Sequence, residues 1–167
     1  MVAKQLGEHA ELAQFMSQQY LCESLTVVEV HTLLNYLKVL HFEKDDIVSD
    51  IGDVGDELYF VVKGEIALII PDGQNEYEVV RSGVGEMLGM MSFFDKRARS
   101  VRLVAKVEDT QVLKLSRARY KRMKVEHPYI AINIVEQAVL SMDKLFRSVS
   151  SDFAQFSHYL YGAGVKA

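Results

Sequence analysis

The stretch Gly83–Val101, GVGEMLGMMSFFDKRARSV, carries the strongest signal in the chain. It combines a glycine-rich turn, a short apolar segment and an arginine that opens a β-strand, and Gly89 and Arg99 lie ten positions apart. A glycine turn lets backbone N–H groups come close to an anion. A guanidinium adds a planar, permanently charged fork that suits phosphate. The stretch therefore predicts an anion-binding loop.

Arg99 also points inward by strand alternation. The odd-numbered positions that follow it are apolar: Val101, Leu103, Ala105 and Val107. Side chains alternate between the two faces of a strand, so Arg99 should share the interior face. An inward charge needs a partner. Two readings follow: an anionic ligand, or an ion pair at the barrel mouth with Asp95 or a glutamate.

Outward from this stretch, residues 46–115 read as short strands separated by turns. The strand candidates are rich in β-branched or aromatic residues: Ile47–Val48, Leu58–Val62, Ile66–Ile70, Tyr77–Val80, Val101–Val107 and Val112–Leu115. Turn-forming residues such as Lys63-Gly64 and Pro71-Asp72-Gly73 lie between them. Many short strands at even spacing predict a β-roll or jelly-roll barrel, so the fold class is mainly β with flanking helices.

Helical patterns lie on both sides of the barrel. Residues 1–45 form an N-terminal helical segment, with a weak helix over 8–21 and a stronger one that starts with a capping box at Thr26–Glu29. Residues 116–150 form C-terminal helices: Ser116 caps a short basic helix, and Pro128 fits the first turn of a long one. Residues 151–167 are the tail.

The long helix has an apolar seam with alternating spacings of four and three: Ala131, Val135, Ala138, Met142, Leu145 and Val149. Such a seam is typical of helix–helix contact. One part of the helix could cover the barrel while another part meets a second chain.

Composition limits the function classes. The net charge of −4 argues against a dedicated nucleic-acid binder. The single cysteine, Cys22, allows no internal disulfide, which favours a reducing, cytoplasmic setting. No apolar segment is long enough for a membrane span, and no metal spacing, catalytic triad or carboxylate pair stands out, so an enzyme is the least supported class.

One basic run offers a further alternative: Arg117, Arg119, Lys121, Arg122 and Lys124. The run could suggest nucleic acid, but five charges within eight residues cover most sides of a helix and favour a solvated face.

Several segments together resemble the cyclic-nucleotide-binding domain family, over roughly 25–149. Gly52–Gly64 is similar to the family's first hairpin, and Ala105–Thr110, Leu113–Met123 and His127-Pro128 are similar to its last strands and the entry to its C-terminal helix. The resemblance implies a β-roll that binds cyclic AMP, cyclic GMP or another anionic nucleotide, with no further cofactor.

The resemblance also implies roles for particular residues. Gly89 would bind the cyclic phosphate through its amide, Arg99 would pair with that phosphate, and Ser100 would assist. Two positions depart from the family pattern, since Met90 replaces the glutamate that takes the ribose 2′-hydroxyl and Ala98 replaces a proline. A thioether is only a weak acceptor, so the ribose half of the site is missing. The other pocket residues expected are Met91, Leu145 and Phe146.

A regulatory ligand-binding domain follows from this resemblance. Ligand occupancy would be coupled to the C-terminal helix, and the chain would form a homodimer through residues 128–149. The alternative is a degenerate domain that binds no nucleotide and serves protein interaction or dimerisation. Only about 20 residues follow Val149, too few for a helix-turn-helix domain, so we expect no DNA binding by this chain alone.

Overall fold

A computed structural model describes the backbone of residues 2–161 and the side chains of residues 9–155. The helices are α1 (Val2–Ser17), α2 (Val27–Tyr36), α3 (Met90–Asp95), α4 (Arg117–Glu126) and α5 (Pro128–Tyr161), with a 3-10 turn at Tyr20–Cys22. The strands are β1 (Lys38–Phe42), β2 (Ile47–Ser49), β3 (Glu57–Lys63), β4 (Ile66–Asp72), β5 (Asn75–Ser82), β6 (Met87–Leu88), β7 (Arg102–Ala105) and β8 (Thr110–Ser116).

The strands form two antiparallel four-stranded sheets, with the orders β1-β8-β3-β6 and β2-β7-β4-β5. The helices lie before, between and after the strands along the chain. This arrangement confirms the predicted β-roll with flanking helices and a long C-terminal helix.

Strand alternation on β3 separates two hydrophobic clusters. Leu58 and Phe60 belong to the helix-side cluster, together with residues of α2, α4 and α5. Tyr59 and Val61 belong to the roll-interior cluster, together with Leu88, Leu103 and Val112. The core of the molecule therefore has one layer inside the roll and another between the roll and the helices.

The helix ends follow their sequence signals. Thr26 and Glu29 form the expected capping box, and the Ser116 hydroxyl accepts a hydrogen bond from the Arg119 amide at the start of α4. Pro128 is the first residue of α5, where its missing N–H costs no hydrogen bond.

Two strands differ from the expectation. Strand β1 lies inside the segment 1–45 that the sequence pattern predicts to be helical. Leu40 fits the helical spacing of α2, but Leu40 and Phe42 both pack against the roll-interior cluster, as alternate residues of a strand do. The segment is a strand because it pairs with β8. Since β8 lies some seventy residues later in the chain, the periodicity of the segment alone does not reveal this pairing. The two-residue strand β6 is likewise too short for a periodic signal.

The helix boundaries also differ. Helix α1 covers Val2–Ser17 rather than 8–21, and α5 continues to Tyr161, through most of the segment expected to be a tail. Residues 162–167 lie outside the described residues. The division at 45, 115 and 150 into separate segments stays a prediction.

Two residues of the seam predicted on α5, Ala131 and Ala138, do not fit a contact with a second chain. Ala131 and Ala138 are buried in the helix-side cluster of the domain itself, so they cannot meet a second chain. An exposed row, which shares Val135, Met142 and Val149 with that seam, keeps spacings of three and four over 22 residues. We call it the exposed stripe: Ile132, Val135, Val139, Met142, Phe146, Val149 and Phe153. Both rows have coiled-coil spacing, and only the docking of α5 on the roll distinguishes them.

Over residues 2–161, no helix combines the length and apolar character needed to cross a membrane.

One buried amide on α5 predicts a stability change. The Asn133 side chain is 2% exposed, and neither its Nδ2 nor its Oδ1 has a hydrogen-bond partner among the described residues. We expect Asn133→Leu, which keeps the number of side-chain heavy atoms and the branching at Cγ, to raise the free energy of unfolding by about 1–2 kcal/mol, because an unsatisfied buried amide costs about that much. Urea denaturation measures the change.

Asn35→Leu is the matched control, because Asn35 is exposed on α2 and tests the helix propensity of leucine alone. A loss of stability in Asn133→Leu would show that the amide is hydrogen-bonded in solution.

Candidate functional site

Gly89 lies between β6 and α3, where the chain turns from the strand into the helix, and we call it the hinge glycine. Its φ of 82° lies in the left-handed region, which glycine adopts without strain. A methyl group at this position would come within 2.9 Å of Arg99 Nη1 and 3.0 Å of the Glu57 carbonyl oxygen. Both backbone conformation and space therefore require glycine here, and the close approach brings the loop against the guanidinium.

Arg99 is buried, as strand alternation predicts, with 5% of its surface exposed. It precedes β7 rather than lying on it, next to the isolated bridge that joins Ala98 to Val54. The apolar alternation continues through Leu103 and Ala105, which are also buried. A long side chain with a fixed charge is thus turned into the domain.

The guanidinium of Arg99 has few partners for so buried a charge. Nη2 donates a hydrogen bond to the Glu57 carbonyl oxygen at 2.9 Å. The guanidinium carbon lies 5.7 Å from the centroid of the Tyr59 ring, in reach of a cation–π interaction. Nε is buried without a hydrogen-bond partner among the described residues.

The alternative partner, a carboxylate, is not found for Arg99. Among side chains 9–155, no ion pair joins Arg99 to an aspartate or glutamate. Asp95 instead accepts a hydrogen bond from the Arg97 amide. Arg99 therefore keeps donor capacity that the described residues do not use.

The predicted site residues are only partly brought together. Gly89 and Arg99 are in contact. Ser100 and Ala98 follow and precede Arg99 and are exposed, and Met91 is exposed on α3. Leu145 is half-buried on α5, and Phe146 is 72% exposed, so Phe146 plugs no pocket of its own chain.

Met90 has turned away from the roll interior. It is buried in the helix-side cluster with Leu58, Phe60 and Phe93. Its thioether thus contributes to the core rather than to a polar subsite.

Sequence reasoning missed a polar group beside Arg99, built on Glu57, Tyr59 and Lys114. The Tyr59 hydroxyl donates to Glu57 Oε2 at 2.7 Å, and the Lys114 ammonium pairs with Glu57 Oε1. Burial alone would raise the pKa of Glu57, but the hydrogen bonds from Lys114 and Tyr59 outweigh it and hold the pKa below its ordinary value. The alternation that singles out Arg99 could also have found Glu57, which shares its face of β3 with buried Tyr59.

Arg117 ties the site to the C-terminal helices. Its guanidinium pairs with Asp56 at 2.8 Å, donates to the carbonyl oxygens of Gly55 and Ser92, and lies 5.2 Å from the Phe93 ring centroid. The first residue of α4 thereby contacts both the loop before β3 and helix α3. Arg119 donates to the carbonyl oxygens at the end of α2. Part of the basic run is therefore structural rather than a free charged face.

A second contact joins α5 to the loop before β6. Lys144 forms an ion pair with Glu86, and the Glu86 carboxylate also accepts a hydrogen bond from the Gly83 amide. Glu86 lies three residues before Gly89, so α5 contacts the loop that carries the hinge glycine.

The chain is similar to several proteins of known family. A family model described as the cyclic nucleotide-binding domain matches residues 39–127. The chain is 33% identical over 115 residues to the cyclic AMP receptor protein of Thermus thermophilus, over 68% of this chain and 53% of that protein. It is 28% identical over 91 residues to the cAMP-dependent protein kinase regulatory subunit of Mucor circinelloides, over 54% of this chain and 21% of that protein. It thus spans about half of the first relative and a fifth of the second.

Solved structures of cyclic nucleotide-binding proteins have a similar fold. The catabolite activator protein of Thermus thermophilus matches with a TM-score of 0.67 at 30% identity, over 83% of this chain and 64% of that one. A cyclic nucleotide-binding domain from Methylobacillus flagellatus matches with a TM-score of 0.68 at 20% identity, over 96% of this chain and 86% of that one, which shows a shared fold. Since the family model covers more than half of the chain, the chain belongs to the cyclic nucleotide-binding domain family.

Proposed function

We propose that this chain is a regulatory domain that binds an anionic nucleotide between Arg99 and the Gly89 hinge. The observation that carries the proposal is the buried guanidinium, which has one hydrogen bond to a backbone carbonyl and no carboxylate partner among the described residues. Burying a charge is costly unless it is paired. An anion would supply the missing partner and accept the unused donors.

We propose that ligand binding changes the position of the C-terminal helices α4 and α5. Arg117 links α3 to α4, and Lys144 links α5 to the loop before Gly89, so the contacts of the binding loop run directly to both helices. Lys144 is largely exposed, and such a pair contributes only about 0–1 kcal/mol. A ligand that moves the loop could therefore change the position of α5 at small cost.

A second candidate function is supported by the packing inside the roll. Tyr59 is 2% exposed and lies below the guanidinium, and Met90 has joined the core instead of offering a ribose acceptor. These two features suit a degenerate domain that keeps the fold for interaction with another protein. Binding experiments on Arg99 distinguish the two candidates.

Arg99→Ala should abolish nucleotide binding while leaving the fold intact. We expect affinity for cyclic AMP, cyclic GMP or a cyclic dinucleotide to fall at least about 100-fold, because two charge-assisted hydrogen bonds of about 1.5–3 kcal/mol each are lost. Isothermal titration calorimetry measures the affinities, and thermal unfolding checks the fold.

Arg97→Ala is the matched control, since Arg97 is an exposed arginine two residues away. It should bind as the wild type does. A wild-type protein that binds none of the three ligands at millimolar concentration would contradict the proposal and favour the degenerate domain.

We also propose a homodimer through α5, with the exposed stripe as its seam. The stripe has seven apolar residues at coiled-coil spacing and faces away from the domain's own core. A second copy of the helix would bury this row, and a two-fold contact would set equivalent residues near each other.

Met142→Glu should dissociate that dimer. Met142 lies in the middle of the stripe, so a two-fold contact would bury two like charges close together. Sedimentation equilibrium at micromolar concentration should give a wild-type dimer and a variant near the monomer mass of 18.9 kDa.

Ser148→Glu is the control, because Ser148 is exposed on α5 but lies off the stripe. It should remain dimeric. A monomeric wild type would rule out this seam in the isolated chain.

A further inference from the structure

A carboxylate next to Arg99 has no role in the function proposed so far. From its position we infer that Glu57 is the hydroxyl-recognising group of the ligand site and takes the role for which Met90 is unsuited. The inference rests on the proposed nucleotide site at Arg99 and assigns that site a specificity: an anionic ligand with a free sugar hydroxyl near its phosphate.

The backbone of Glu57 lies in the site. Its carbonyl oxygen accepts the hydrogen bond from Arg99 Nη2 and contacts Gly89 closely enough to exclude a methyl group there. Strand pairing places the start of β3 beside the end of β6, because Tyr59 pairs with Leu88, the residue before Gly89.

The Glu57 side chain lies on the opposite side of β3 from the buried Met90. Glu57 shares its face of the strand with Tyr59 and Val61, which line the roll interior, whereas Met90 packs in the helix-side cluster. The acceptor next to Gly89 and Arg99 within the roll is therefore the carboxylate of Glu57.

This carboxylate has acceptor capacity to spare. Each of its oxygens has two lone pairs, and the contacts with Tyr59 and Lys114 use one on each oxygen. The Tyr59 hydroxyl and the Lys114 ammonium also fix the orientation of the group. Lys114 offsets its negative charge, which reduces the repulsion that a nearby phosphate would meet.

Three neighbouring carboxylates already have other hydrogen-bond or ion-pair partners. Glu86 pairs with Lys144 and accepts from the Gly83 amide, and Asp56 pairs with Arg117. Asp95 is exposed at the end of α3 and accepts from the Arg97 amide. Glu57 is thus the carboxylate that combines contact with the Arg99 site, partial burial and an inward-facing strand position.

Two pairs of ligands test the assignment. Isothermal titration calorimetry compares cyclic AMP with 2′-deoxy cyclic AMP, and cyclic GMP with its 2′-deoxy analogue, on the wild type and on Glu57→Gln. We expect the wild type to prefer the ribose form by about 10- to 100-fold, as is typical of a hydrogen bond to a charged acceptor. Glu57→Gln should reduce that preference to within about threefold, because a neutral amide oxygen is a weaker acceptor.

Glu65→Gln is the matched control, since Glu65 makes an exposed pair with Arg81 elsewhere in the roll. It should keep the wild-type preference. If Glu57→Gln fails to fold, Glu57→Asp withdraws the carboxylate by one methylene and should also lower the preference.

The outcomes separate this inference from the proposed function. Equal wild-type affinity for the ribose and deoxy forms overturns the role of Glu57 and leaves the anion site standing. Equal weakening of both ligands by Glu57→Gln also overturns it, because the residue would then act through Arg99 rather than on the hydroxyl. A wild type that binds neither form overturns both.

Discussion

The burial of one guanidinium constrains the rest of this domain. Arg99 is 5% exposed, and the structure around it supplies a backbone carbonyl, an aromatic face and a glycine hinge rather than a carboxylate. A charge buried in this way is stable only if its surroundings hold it firmly. The Gly89 turn, the start of β3 and the Tyr59 ring each contact that side chain.

The contacts that hold the Gly89 loop also tie it to the helices. Arg117 donates to two carbonyl oxygens, one before β3 and one in α3, and is itself the first residue of α4. Glu86, on the loop that leads to Gly89, contacts α5 through Lys144. The Glu86–Lys144 pair therefore joins α5 to the loop that leads to Gly89.

The two faces of β3 differ in polarity beside Arg99. The helix-side cluster has absorbed Met90, which removes the acceptor expected beside the hinge glycine. The opposite face carries Glu57, Tyr59 and, from β8, Lys114 as a hydrogen-bonded group beside Arg99. The polar chemistry beside Gly89 and Arg99 therefore differs from the pattern that the family resemblance implies, which has a glutamate directly after the glycine.

Amino-acid order alone predicts the roll, the helix caps at Thr26 and Ser116, the start of α5 at Pro128 and the inward direction of Arg99. Local periodicity and capping chemistry are enough for these features. Tertiary structure decided the rest. β1 is a strand because β8 pairs with it, and the exposed stripe of α5 is known only because docking buries Ala131 and Ala138. The polar group of Glu57, Tyr59 and Lys114 likewise combines residues of β3 and β8. The periodicity of a single segment does not show which residues of another strand lie next to it.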